Sequence, residues 1–120
     1  MISLLLLAAA ASVSGDFDRD GRTDHAYVRV TDGISELVVR RANGQIVVVD
    51  RVNAHSDFYL EMMPPGDYRT ECAKGLGCAR SCATPILSVR GDALQFGTRE
   101  ASQAVALWQD GRFRVHWLSD

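Results

Sequence analysis

The chain has 120 residues, with 13 Lys and Arg against 15 Asp and Glu, a formal net charge of −2, 47% hydrophobic and 23% charged residues. That length suits one domain with one modest core. The near-neutral balance leaves no basic surplus for nucleic acid, and no low-complexity tract or internal repeat is apparent.

Residues 1–14 read as a secretory leader: a run of leucines at Leu4, Leu5, Leu6 and Leu7, then small residues suited to cleavage between Ala9 and Ser14. The apolar run is short for a bilayer crossing, so no membrane span is expected. No Lys or Arg precedes it, and the rival reading is an N-terminal strand or helix packed on the domain. The expected location is the periplasm or outside the cell, with residues 15–120 as the domain.

The next stretch, Gly15-Asp16-Phe17-Asp18-Arg19-Asp20-Gly21-Arg22-Thr23-Asp24, sets carboxylates at loop positions one, three, five and nine and a glycine at six. Calcium is a hard cation that takes many oxygen ligands, and a tight loop with oxygens at alternate positions can wrap it. The candidate ligands are Asp16, Asp18, Asp20, the backbone carbonyl of Arg22 at position seven, and Asp24. Tyr27 stands where an EF-hand needs a bidentate Glu, and a strand pattern rather than a helix follows. The stretch resembles the calcium loop of the FG-GAP and VCBS repeats over residues 15–30. That resemblance implies a structural Ca2+ held beside strands. It is present in one copy, whereas a propeller needs several blades.

Strand-forming runs follow. Residues 25–31 alternate, with Ala26, Val28 and Val30 on one side. Asp32-Gly33 predicts a hairpin into 36–41, and Asn43-Gly44 predicts a second, with both residues suited to the positive φ of a type I′ turn, into 45–50. Residues 53–85 read as an irregular insertion, with a short strand at 58–60 and a break at Pro64-Pro65. It carries Cys72, Cys78 and Cys82, whose spacing fits no standard zinc or iron–sulfur pattern. One disulfide, Cys72–Cys82 or Cys72–Cys78, plus one leftover thiol is the expectation. Strands resume at 86–90, 93–97 and 103–108, and Asp110-Gly111 turns into 112–118, where Phe113, Val115 and Trp117 share a face opposite Arg112, Arg114 and His116. The expected fold is all-β: an antiparallel meander of seven to eight strands forming a small sandwich or a bent, barrel-like sheet.

Candidates for catalysis are sparse. His25, His55 and His116 are scattered, and His116 reads as an exposed sheet residue. The arginines Arg29, Arg40, Arg41, Arg112 and Arg114 read as a solvated face rather than a nucleic-acid stripe. The functional expectation is an exported, calcium-stabilised, non-catalytic β-domain acting as a binding, inhibitory or structural module in the cell envelope. Its partner would be a protein or an envelope glycan meeting residues 53–85. The alternative is a small hydrolase using a histidine with a cysteine or carboxylate.

Overall fold

The computed structural model describes residues 12–55, 57–74, 84–99 and 101–119. In chain order the strands are β1 (Ser12–Gly15), β2 (Asp24–Thr31), β3 (Ile34–Arg40), β4 (Ile46–Asn53), β5 (Phe58–Met62), β6 (Gly66–Arg69), β7 (Ile86–Val89), β8 (Leu94–Thr98), β9 (Gln103–Gln109) and β10 (Arg112–Ser119), with a 3-10 turn over Glu71–Lys74. They make one sheet in the order β1-β2-β3-β4, a second in the order β10-β9-β8-β5, and a small third from β6 and β7. The pairings are antiparallel. The architecture is an open β-sandwich, not a closed barrel. Among the described residues no helix is long and apolar enough to cross a membrane.

The tight turns follow from their residues. Asp32-Gly33 and Asp110-Gly111 take φ values of 53° and 76°, and of 54° and 78°. Both residues of each pair are left-handed, the type I′ geometry whose twist matches that of the flanking strands. Thr31 therefore faces Ile34, and Gln109 faces Arg112. At Asn43-Gly44 only Gly44 adopts positive φ, at 92°. The type I′ expectation gives way there to a longer turn, in which Gly44 N–H donates to Arg41 O (2.8 Å) and Arg41 N–H to Gln45 O (2.8 Å). This longer turn carries Arg41 and Ala42 toward the 16–24 loop.

The layers follow from side-chain alternation. On β9, Ala104 and Ala106 face a cluster shared with the first sheet, which includes Phe17, Ala26, Leu37 and Phe96. Val105 and Leu107 face the opposite way, into a cluster with Leu87 and Val89 of β7 and with Met63 and Ala93. Residues Ala104 to Leu107 are consequently all buried, an apolar run of the kind expected where a strand is covered on both faces. Phe113, Val115 and Trp117 pack against the first cluster, as the alternation of β10 requires. Leu118, on the opposite face by the same alternation, joins the second cluster, beside a register shift between Trp117 and Ser119. Val30, expected to share the inner face with Ala26 and Val28, is 62% exposed, and the last three residues of β2 are exposed on both faces.

Two strands exceed the seven or eight expected. β6 lies inside the segment read as irregular, where Gly66-Asp67-Tyr68-Arg69 has no apolar alternation and is a strand through its pairing with β7. β1 uses Ser12, Val13 and Ser14, which the leader reading had assigned to residues 1–14. They pair with Tyr27, Ala26 and His25, and Val13 packs on the core. A cut upstream of Ser12 keeps this strand, and a cut at Ser14 removes it. Residues 1–11 lie outside the described residues, as do Cys78 and Cys82 and with them the expected choice of disulfide pairing. Cys72 is disulfide-bonded.

Candidate metal centre

The 16–24 loop is the connection of the β1–β2 hairpin. Gly15 and Asp24 face each other across its base. Phe17, 1% exposed, inserts its ring into the main core and fixes the loop to the sandwich. The other side of the loop rests on the turn between β7 and β8. Asp16 N–H donates to Asp92 Oδ2 (2.8 Å), and the Arg19 guanidinium lies against Gly91 so closely that a Cβ there would stand 3.1 Å from its Cζ.

Asp24 is the anchor of the loop. Fully buried, it accepts Phe17 N–H (2.9 Å) and Asp18 N–H (3.2 Å) on Oδ2, and Ala42 N–H (2.8 Å) on Oδ1. Backbone donors that no ladder uses are satisfied in this way, and a buried carboxylate gains the hydrogen bonds it needs. Asp16 accepts Asp20 N–H on Oδ1 (3.1 Å) and Gly21 N–H on Oδ2 (2.9 Å), which closes the turn at the glycine.

Asp18 is buried as well, and its partner is a side chain. Arg41 Nε donates to its Oδ2 at 2.7 Å, with the arginine side chain 18% exposed and the carboxylate side chain at 0%. Burial works to raise the Asp18 pKa. The hydrogen bonds from the Arg41 guanidinium and from Asp20, with the attraction of the Arg41 charge, outweigh it and hold the carboxyl below its ordinary range. The same guanidinium sits 4.7 Å from the centroid of the Trp108 ring, a cation–π distance. Trp108 in turn meets Phe113 edge-on at 4.9 Å.

Of the four expected carboxylate ligands the structure brings three together. One carboxylate oxygen each from Asp16, Asp18 and Asp24 lie within 4.8 Å of one another. Asp20 is not in that group: its carboxylate takes Arg22 N–H (2.8 Å) and the Arg22 guanidinium (3.4 Å). Arg22 carries its side chain outward, 60% exposed. Each carboxylate offers about four lone-pair positions, so Asp16 and Asp18, accepting two bonds each, and Asp24, accepting three, leave roughly five open. A hard cation that takes roughly six to eight oxygens, some of them from water, fits this donor set.

Sequence reasoning missed Arg41, Ala42 and Trp108. Arg41 was placed on a solvated face, and its signal was its position at the mouth of the Asn43-Gly44 turn. Two of the other arginines of that set also meet partners: Arg29, together with Arg51, brackets Glu36 at 2.9 and 2.7 Å, and Arg114 lies 3.4 Å from Asp110. The histidines stay on separate elements. His25 Nδ1 lies 3.0 Å from Ser14 Oγ on the exposed edge. His55 closes a turn by accepting Asp57 N–H (3.0 Å). His116, expected exposed, is half-buried: Nε2 is 2.8 Å from Gln109 Oε1, and the ring lines a cavity of about 410 Å³ with Thr70, Glu71, Cys72, Thr84 and Trp117. Burial, then repulsion from Arg114, lowers its pKa. Comparison with family models, with curated proteins and with solved structures gives no match to this chain.

Proposed function

We propose that the protein is a non-catalytic β-domain whose 16–24 loop takes up Ca2+ as a structural ion, and that it works after export, in the periplasm or outside the cell, as a binding, inhibitory or structural module of the cell envelope. The observation that carries this reading is the convergence of Asp16, Asp18 and Asp24 at the base of the β1–β2 hairpin. A bound calcium would supply positive charge to carboxylates that otherwise repel one another. The residues themselves do the positioning: Asp24 ties the start of the loop at Phe17 to the β3–β4 turn at Ala42, and Phe17 ties the loop to the core. A site of this kind, with few protein charges and water completing the shell, suits the millimolar calcium of an extracellular compartment.

Support for a partner surface on residues 53–85 is the exposure of Met62 (37%) within it and of Ile86 (48%) just beyond its end. The hydrolase alternative has weaker support. The His25–Ser14 pair and the His55 turn are exposed, and His116 is engaged with Gln109.

Calorimetric titration with calcium, joined to thermal melts in calcium and in chelator, tests the proposal. Millimolar or tighter binding with a raised melting temperature is the expected result. Heat-silent titration to several millimolar with superimposable melts would overturn it.

A further inference from the structure

Among the loop's close contacts one is a cation that belongs to the chain. The Arg41 guanidinium holds Asp18 Oδ2 at 2.7 Å, inside the group of carboxylates that would bind an ion. It is held there by its own turn and by Gln45, whose Oε1 accepts from the Arg41 guanidinium. The Trp108 ring, 4.7 Å away, already contacts the guanidinium, so cation–π attraction would hold it in the absence of the Asp18 bond.

We infer that Arg41 is a tethered counter-ion that competes with calcium for Asp18, so that the loop stays folded without the ion and the arrival of the ion breaks the Arg41–Asp18 bond, leaving Arg41 to re-seat on the Trp108 face it already meets. The inference rests on the calcium reading of the loop and adds its regulation. Two positive charges converging on one carboxylate repel, and the repulsion is largest where the carboxylate is shielded from water. Asp18 is shielded. Arg41 is the partner better able to move, because its side chain is partly exposed and long, while Asp18 is fixed by its backbone bond to Asp24. Calcium affinity is then set by a resident charge as well as by the number of carboxylates. It rises when that charge is removed.

The test uses the full chain, calcium chloride as the only probe, and a Trp117→Phe background so that Trp108 alone reports. Arg41→Met is expected to bind calcium roughly tenfold more tightly than the parent, the effect of removing one unit charge a few ångströms from a divalent ion. The parent is expected to change its Trp108 emission on binding, and Arg41→Met to show no such change. Arg41→Lys, which keeps a charge but loses the planar stack and the fork, is expected to fall between the two, and carries the comparison if the Met variant does not fold. Equal affinities in parent and Arg41→Met, with Trp108 emission unmoved in both, would overturn the competition while leaving the calcium loop standing. Absence of binding in every variant would overturn both.

Discussion

Replacing Asp24 separates what the chain does for its own loop from what an ion would do. In Asp24→Ala the N–H groups of Phe17, Asp18 and Ala42 lose their acceptor together, and the first two of these bonds are buried. An orphaned buried donor costs about 1–3 kcal/mol, so the two buried ones and the partly buried third sum to about 3–5 kcal/mol after some loop relaxation. In a domain of this size that lowers the melting temperature by more than about 10 °C. Asp24→Asn keeps one oxygen and turns the other into a donor. With the amide nitrogen set toward Ala42 it retains two of the three bonds, so the loss is about half that of the alanine variant. The measurement is thermal unfolding by circular dichroism in excess chelator, where no ion contributes. The expected order of stability is parent, Asn, Ala. An alanine variant melting within about 2 °C of the parent in chelator would refute the reasoning. A deficit that appeared only when calcium was present would do the same, since Asp24 would then act through the ion alone.

Gly97 in β8 has φ of 148°, and a Cβ there would stand 2.3 Å from Ser102 O. Gly97→Ala combines backbone strain with a clash against main chain and is expected to cost about 2–5 kcal/mol, readable as a lower urea midpoint. On the outer face of the first sheet, hydrogen bonds from Arg51 and then Arg29 hold the Glu36 pKa below its ordinary value. A carboxylate depressed in the folded state stabilises above its unfolded pKa, and loses that contribution as pH falls through the folded value. The stability difference between parent and Glu36→Gln should therefore be flat above about pH 5 and shrink below it, and added salt should diminish it. A difference that grew on acidification would contradict the assignment.

Much of the sandwich was readable from turn chemistry and alternation. Asp-Gly at 32–33 and at 110–111 demands left-handed pairs, and both hairpins form there. Phe113, Val115 and Trp117 could face only one way if β10 was half-buried, and they do. What escaped was structure created by pairing rather than pattern. Ser12-Val13-Ser14-Gly15 and Gly66-Asp67-Tyr68-Arg69 are short, small or polar, and each is a strand because a neighbour supplies its ladder. The loop shows the same limit. The aspartate spacing identified Asp16, Asp18 and Asp24 as neighbours, but Asp20 turns to Arg22 instead, since an adjacent guanidinium competes for it. Arg41 reaches Asp18 across 23 positions of sequence, a separation to which no local pattern corresponds.

The burial of β9 on both faces has a kinetic consequence. The first sheet, β1 to β4, is complete by Asn53, yet the strands that cover its apolar face, β8, β9 and β10, lie beyond residue 93. β5 must likewise wait for β8, its ladder partner, with the small sheet between them in sequence. Long-range antiparallel pairing of this kind closes large loops before any contact rewards it, which slows folding. During synthesis the early meander emerges with Leu37 and Val39 uncovered, and its outermost strands β1 and β4 unpaired along one side. The interval between translating β4 and docking β9 is thus when this chain is most open to aggregation or to capture by a chaperone.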